Sequence, residues 1–156
     1  VARQNLLLND ARNIELISGA ASERRGTLTF NRGLNGRVDD GSGAWGQVQV
    51  RAYTVDELAE MFGAPDVLLV DVEGFEQQVL RGAAKVLATR PDCAVEVHVG
   101  AGLEGFGGSA GGVCDMFADE DYQRWIVNDQ QQAPIAHDPA HPMLRDRFHL
   151  IAIARR

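Results

Sequence analysis

The sequence predicts an α/β fold built around a mostly parallel sheet. From residue 54 onward, segments of helical periodicity alternate with short apolar runs, an order that places helices on the faces of a parallel sheet. The run from Val67 to Val72 is apolar except for Asp71, as expected for a strand that is covered on both faces. No helical pattern separates the last two expected strands, so we expect one of them to run antiparallel.

The N-terminal part predicts a helix followed by three strands. The first residues have helical character, and alternating apolar residues at 14–18 predict a strand. Two further strands, 27–30 and 48–53, flank a stretch at 31–46 that is rich in Gly, Asn and Asp and predicts a long hairpin loop. Trp45 in this loop could contact a ligand. Because a domain rarely begins within an element, we expect part of the fold to lie upstream of this chain.

Two helices are expected after residue 53. Thr54 and Glu57 form a capping box at the start of the first, and Gly63, followed shortly by a proline, ends it. The second helix is expected over 75–89, because apolar residues recur there on one face. Polar residues, Gln78 among them, occupy the other face and are expected to point to solvent.

The C-terminal part predicts three more strands and a second glycine-rich segment. The strands are expected at 94–99, 124–128 and 148–154. Between the first two, residues 100–112 are rich in glycine and predict a flexible loop that could close over a site. A short helix is expected to follow at 115–122.

Composition argues against two classes of partner. The chain has 156 residues, 15 of them basic and 22 acidic, so its net charge of −7 argues against nucleic-acid binding. No apolar run approaches the roughly 20 residues that span a bilayer, so we expect no membrane partner.

Cys93 and Cys114 are expected to be free thiols, and this sparse use of cysteine fits a cytoplasmic location.

Charged residues end two successive apolar strands. Asp71 and Glu73 end the first of these strands, and Glu96 and His98 end the next. The members of each pair are two residues apart, so they point to the same face of an extended chain. Because open α/β sheets bind ligands outside the carboxyl ends of their strands, we expect these four residues to form a functional cluster.

This cluster leaves two chemical roles open. It could hold a divalent cation through oxygen and nitrogen ligands, or it could supply a general base. Each residue also fits a structural role, since Asp71 or Glu73 could cap the following helix and His98 could be a half-buried strand residue. Burying four ionisable groups has a cost that folding does not require, which favours function. The residues alone assign no metal.

Four short motifs follow one another between residues 54 and 98. They are Thr54-Val55-Asp56-Glu57-Leu58, Val70-Asp71-Val72-Glu73-Gly74-Phe75-Glu76, Val79-Leu80-Arg81-Gly82-Ala83 and Val95-Glu96-Val97-His98. Together they resemble the FkbM-type S-adenosylmethionine-dependent methyltransferases. The second and third motifs are the more specific, and the resemblance covers most of residues 1 to about 100.

The resemblance implies a Rossmann-like methyltransferase fold whose last strand is antiparallel. It implies methyl transfer from S-adenosylmethionine, usually to a hydroxyl oxygen, with a small molecule or glycan as acceptor. The family's glycine-rich cofactor loop would lie upstream of this chain, and the residues nearest the adenine would be Ala20, Ala21 and Ser22. We expect Asp71 or His98 to take the acceptor's proton. Glu73 and Glu96 would orient the reacting groups.

Two other classes of function stay open on the sequence. One is a non-catalytic Rossmann-like binding module whose acidic residues bind a cation or a sugar. The other is a hydrolase that uses a metal held by the same residues. We expect residues 1–156 to form a single methyltransferase-like domain, the C-terminal portion of a larger fold. An open edge strand in such a fold would favour homo-oligomers.

Overall fold

The structure is a computed structural model that describes residues 1–32, 38, 46–128 and 133–156. Its helices are α1 (Ala2–Leu8), α2 (Val55–Phe62), α3 (Glu76–Arg81), α4 (Ala84–Ala88) and α5 (Ala110–Cys114). Its strands are β1 (Ala20–Ala21), β2 (Gly26–Asn31), β3 (Gln47–Tyr53), β4 (Val67–Val70), β5 (Asp92–Val97), β6 (Tyr122–Val127), β7 (Ile135–Ala136) and β8 (Phe148–Ala154). Short 3-10 helices lie at Glu104–Phe106 and Pro142–Arg145. None of the helices in these ranges has the length and apolarity that crossing a membrane requires.

The strands form two sheets. In the three-stranded sheet, β3 lies between β1, to which it is parallel, and β2, to which it is antiparallel. The pairing of β2 with β3 forms the hairpin expected from the sequence, although most of its loop, including Trp45, lies outside the described residues. The five-stranded sheet has the order β4-β5-β8-β6-β7.

The expectation of a mostly parallel sheet is not confirmed. In the five-stranded sheet, β4 and β5 pair in parallel, whereas the β5–β8, β8–β6 and β6–β7 pairings are antiparallel. The reason is the position of β8, the expected antiparallel strand, which lies inside the sheet and so reverses two pairings. Because β5 and β6 both run opposite to β8, the strands β4, β5 and β6 share one direction. The fold is therefore a mixed α/β fold.

The strand expected at residues 14–18 does not form. These residues have no regular structure, and the first strand is the short β1, which pairs with β3. Ile14 and Leu16, which produce the alternating pattern, are exposed. Alternation predicts a strand only where a neighbouring strand supplies hydrogen bonds and a core covers one face. Neither is present for 14–18 in the described part of the chain.

Helix α2 follows the expected boundaries. The Thr54 hydroxyl accepts a hydrogen bond from the Glu57 N–H at 3.0 Å, as expected for an N-cap. Gly63 ends the helix with φ at +95°, and its N–H donates to the Ala59 carbonyl at 2.9 Å. A positive φ at this position favours glycine.

The helix expected over 75–89 is instead two helices, α3 and α4. Asp56 stabilises the break, because its two carboxylate oxygens accept the N–H groups of Lys85 at 3.1 Å and Val86 at 3.0 Å, in the first turn of α4. Gly82 lies at the break, and a Cβ at this position would overlap the Ser22 carbonyl oxygen. Both contacts come from residues distant in sequence, so helical periodicity alone does not predict the break.

The main core includes residues of α3, α4, α5 and the five-stranded sheet. The largest side chains with no exposure are Phe117, Phe148, Leu80, Leu103, Ile126 and Leu150. Gln78, expected to point to solvent, is buried, and its side-chain amide donates to the Phe106 carbonyl. Cys93 and Cys114 are buried free thiols, as expected. Burial raises the pKa of the Cys93 thiol to about 12 and that of Cys114 to about 11.

Two further elements depart from expectation. The helix expected at 115–122 is replaced by α5, five residues earlier, because Ser109 caps α5 by accepting the Gly112 N–H at 3.0 Å. The second is β4, which was expected to be covered on both faces: it lies at the edge of its sheet, and Leu69 on one face is 75% exposed. An exposed apolar edge is what self-association requires, and homo-oligomer formation stays a prediction.

Replacing Gly82 by alanine should destabilise the protein. Its φ of −78° suits alanine, so the cost comes only from the overlap with the Ser22 carbonyl. Overpacking of this kind costs about 1–3 kcal/mol. The matched control is Gly111→Ala in α5, where a Cβ meets nothing within 4 Å. Urea unfolding of both variants measures the difference, and equal stability would contradict the close approach at Gly82.

Candidate active site

The expected cluster lies at the carboxyl ends of β4 and β5. These strands pair in parallel, with Val70 opposite Val95, so the residues that follow them meet at one edge of the sheet. His98 Nε2 lies 3.6 Å from Glu96 Oε1, 3.7 Å from Glu73 Oε2 and 4.0 Å from Asp71 Oδ1. The structure therefore brings together all four residues that the sequence analysis selected.

A fifth residue, Glu76, holds the imidazole from the other side. Its Oε1 lies 2.7 Å from His98 Nδ1 and also accepts the Gly74 N–H at 2.7 Å. Glu76 has no exposed surface, and the His98 side chain is only 4% exposed. With Glu76 ionised, its carboxylate can only accept, so His98 Nδ1 is then the donor. Nε2 faces the other carboxylates.

The sequence analysis did not select Glu76. It belongs to the motif that ends in Phe75-Glu76, but an acidic residue in the first turn of a helix is common and needs no further role. A signal was available, because Glu76 precedes Val79, Leu80 and Ala83 by three, four and seven residues and so lies on the apolar face of the helix. A charged residue on a buried face indicates a specific partner.

The turn after β4 has an unusual backbone. Glu73 has a φ of +52° and Gly74 a φ of +100°. A Cβ on Gly74 would lie 2.8 Å from the Gly102 carbonyl carbon, so the turn needs glycine for its conformation and for its close approach to the segment after His98. A non-glycine residue at positive φ costs about 1–3 kcal/mol and is found at functional sites. Here the residue with positive φ is Glu73, whose carboxylate lies 3.7 Å from His98 Nε2.

The cluster has an excess of negative charge. Asp71, Glu73 and Glu96 surround Nε2, and Glu76 adds a fourth carboxylate on the Nδ1 side. Glu96 also lies 3.4 Å from the Arg147 guanidinium and 3.6 Å from His149 Nε2. Even with His98 and Arg147 both charged, the carboxylates outnumber the cations of the immediate cluster. Such a site attracts a cation or the proton of a substrate hydroxyl.

One cavity connects the cluster with the residues expected near the adenine. Its volume is about 220 Å³. It is lined by Gly19, Ala20, Ala21, Phe30, Val38, Asp71, Val72, Glu73 and Phe75. Ser22 is not part of this lining: it is buried, and its N–H donates to the Tyr53 carbonyl at 2.8 Å. A second cavity of about 330 Å³ lies beside β4, and Asp71 and Ala21 border both.

The glycine-rich segment at 100–112 packs beside this site. Leu103 is fully buried, and the Phe106 ring meets the Phe75 ring edge-on with centroids 5.1 Å apart. The Ser109 N–H donates to the Gln77 side chain at 3.0 Å. These contacts attach the segment to α3. Its movement as a lid stays a prediction.

The fold and the cluster define an α/β protein with a candidate ligand site at the carboxyl ends of its strands. The sequence profile of the methyltransferase FkbM domain matches residues 4–126, which is most of the chain. The chain therefore belongs to the FkbM methyltransferase family, and the resemblance seen in its motifs is confirmed. The matched range includes His98, Glu76 and the three carboxylates around His98 Nε2. Neither the curated proteins nor the solved structures contain a significant match to the chain.

Replacing Glu76 by alanine should destabilise the protein strongly. The change leaves the Gly74 N–H and His98 Nδ1 buried without their acceptor, at a cost of about 2–4 kcal/mol. Glu76→Gln should cost less, because its amide oxygen can still accept. The control is Glu104→Ala, which removes an exposed carboxylate that accepts the Gly100 N–H at 3.1 Å. If urea unfolding showed that Glu76→Ala and Glu104→Ala lower the free energy of unfolding by similar amounts, the stabilising role assigned to the hydrogen bonds of Glu76 would be wrong.

Proposed function

We propose that this protein transfers a methyl group from S-adenosylmethionine to a hydroxyl oxygen of a small molecule or sugar. Family membership supports methyltransferase activity. The observation that favours this reaction is a cavity lined by Ala20 and Ala21 together with Asp71 and Glu73. A cofactor and an acceptor must lie next to each other for methyl transfer. This cavity has apolar residues that could contact the cofactor and carboxylates that could contact the acceptor.

The strand arrangement supports a Rossmann-like methyltransferase fold. β4, β5 and β6 share one direction, and β8 is reversed between β5 and β6. Such sheets place their ligands outside the carboxyl ends of the strands that share a direction. The cavity beside Asp71 lies at this edge of β4.

The described residues fit part of the cofactor. The small side chains of Gly19, Ala20 and Ala21 leave room for a flat ring, and Val72 and Phe75 supply apolar contact. Ala20 and Ala21 would border the adenine, whereas Ser22 would act only by holding β1 in place through its backbone. When bound, S-adenosylmethionine supplies an electrophilic methyl carbon: the acceptor oxygen attacks it, and the carbon–sulfur bond breaks with its electron pair on sulfur.

Asp71 is the proposed base for the acceptor's proton. The sequence analysis left Asp71 and His98 as alternatives. The Asp71 side chain is 57% exposed and borders the cavity, while that of His98 is 4% exposed. A general base must reach the proton that it accepts. His98, oriented by Glu76, would position Asp71 from behind, at 4.0 Å.

The remaining carboxylates favour a hydroxylated acceptor. Glu73 borders the cavity beside Asp71, so an acceptor with several hydroxyl groups could donate to both. This is the chemistry of a sugar or a small polyol. Positioning the acceptor oxygen in line with the methyl carbon is the main contribution expected from such contacts. The free thiols of Cys93 and Cys114 fit a cytoplasmic site for this reaction.

Narrowing the cavity should weaken cofactor binding. Ala20→Leu adds three carbon atoms to the cavity wall and should weaken binding of S-adenosylhomocysteine by about tenfold or more, since overpacking costs about 1–3 kcal/mol. Isothermal titration calorimetry measures the affinity. Ala88→Leu, at the exposed end of α4, is the matched control. No heat with the unsubstituted protein would overturn the proposed function.

Removing the proposed base should slow methyl transfer without weakening cofactor binding. Asp71→Asn keeps the shape of the side chain but cannot accept a proton, so the rate should fall by about 10²–10⁴-fold. The measurement is S-adenosylhomocysteine release in the presence of a panel of monosaccharides and glycosides. Glu120→Gln, an exposed change outside the cluster, is the control. An unchanged rate in Asp71→Asn would refute the assignment of the base, and hydrolysis of an ester or phosphate by the unsubstituted protein would favour the hydrolase alternative.

A further inference from the structure

The cluster around His98 has the donor atoms of a cation site. Asp71, Glu96 and His98 can each offer one ligand atom, and these atoms all lie within 4.8 Å of one another. A first-row divalent ion holds oxygen and nitrogen ligands at about 2.0–2.2 Å, so its ligand atoms lie about 3–4 Å from one another. The separations from His98 Nε2 of 3.6 Å to Glu96 Oε1 and 4.0 Å to Asp71 Oδ1 match this span.

We propose that Asp71, Glu96 and His98 bind one divalent transition-metal ion. The proposal does not depend on methyl transfer, since it concerns binding by residues whose positions are described. Its ligand set would be two carboxylate oxygens and one imidazole nitrogen. That set is typical of Mn²⁺, Fe²⁺ or Zn²⁺, whereas Mg²⁺ and Ca²⁺ prefer oxygen alone.

His98 supplies an observation independent of the acidic residues. Its side chain is 4% exposed, yet Nε2 has no hydrogen bond within 3.5 Å to any of the three carboxylates that face it. The Nε2 atom of this buried side chain faces three carboxylates at 3.6–4.0 Å, which leaves room for an ion between them. A metal ion at that point would contact Nε2 and the carboxylates together.

Glu76 completes the arrangement of a metal-binding histidine. Its carboxylate accepts the Nδ1 proton at 2.7 Å, which fixes the ring and turns the Nε2 lone pair toward Asp71 and Glu96. Histidines that bind metals commonly donate their second ring N–H to a carboxylate in this way. Glu76 is fully buried and has no access to solvent, so it acts on the ion only through His98.

Charge also favours a cation at this position. Three carboxylates face Nε2, and Arg147 on Glu96 is the cation within 3.4 Å that offsets part of their charge. A divalent ion would offset the rest of this charge and relieve the repulsion among the carboxylates.

Asp71 would ligate the ion through Oδ1, which leaves Oδ2 for the acceptor's proton. The exposed side of Asp71 would leave coordination positions open toward the cavity, where an acceptor hydroxyl could bind; this last step rests on the proposed function.

Titration with Mn²⁺, followed by electron paramagnetic resonance of the free ion, tests the site in the absence of any cofactor. We expect one ion per chain. The spin-echo modulation of the bound ion should show a directly bonded ¹⁴N nucleus, and this coupling should be lost in His98→Gln. Asp71→Asn and Glu96→Gln should each weaken binding by at least about tenfold. Glu120→Gln should bind like the unsubstituted protein, and circular dichroism checks that every variant is folded.

Three results would overturn the cation site. They are no binding at millimolar Mn²⁺, a nitrogen coupling that persists in His98→Gln, and affinities of Asp71→Asn and Glu96→Gln equal to that of Glu120→Gln. The two proposals fail separately. A protein that binds S-adenosylhomocysteine but not Mn²⁺ loses the cation site and keeps the proposed function. A protein that binds Mn²⁺ but not S-adenosylhomocysteine keeps the cation site and loses the proposed function.

Discussion

Glu76 Oε1 joins two regions of the chain that are distant in sequence, because it accepts hydrogen bonds from the Gly74 N–H and from His98 Nδ1. The first contact holds the turn between β4 and α3, and the second holds the end of β5. A carboxylate with no exposed surface is expensive to bury, and only charged or strongly polar partners offset that cost. The position of Asp71 relative to His98 follows from this pair, since both lie on the backbone segments that Glu76 connects. The chemistry proposed for the cluster therefore depends on a residue that touches no solvent.

The direction of the strands, rather than the type of their pairing, determines where the cluster lies. β8 makes the central pairings of its sheet antiparallel, yet β4 and β5 still end at the same edge. For this reason the rule that ligands bind at the carboxyl ends of strands selected Asp71, Glu73, Glu96 and His98 correctly as neighbours. The expectation of a mostly parallel sheet is not confirmed, because the order of strands in space cannot be derived from their order in the chain.

Sequence patterns correctly predicted those helices and strands that are specified by residues within their own segment. The cap at Thr54 and the apolar runs of β4 and β8 lie within the segments that they specify. The break between α3 and α4 depends on Asp56 and on the approach of Ser22 to Gly82, which no local pattern contains. Glu76 shows the same limit in the candidate site. Its position on an apolar face is visible in the sequence, but its partner His98 lies 22 residues away and is brought close only by the fold.

Strand β1 forms part of the cavity wall, and its main-chain hydrogen bonds hold that part of the wall in position. Ala20 and Ala21 pair with β3, and the Ser22 N–H donates to the Tyr53 carbonyl, so main-chain hydrogen bonds hold the strand in position. The Ala20 side chain can therefore change in size while these main-chain hydrogen bonds hold β1, whereas Ala21 also packs against the core. Gly82 has no such freedom, because its missing side chain makes room for the backbone at Ser22, directly after β1. Over evolutionary time, related chains could change the shape of the molecule that they accept by a substitution at position 20, while the backbone behind it stays constant.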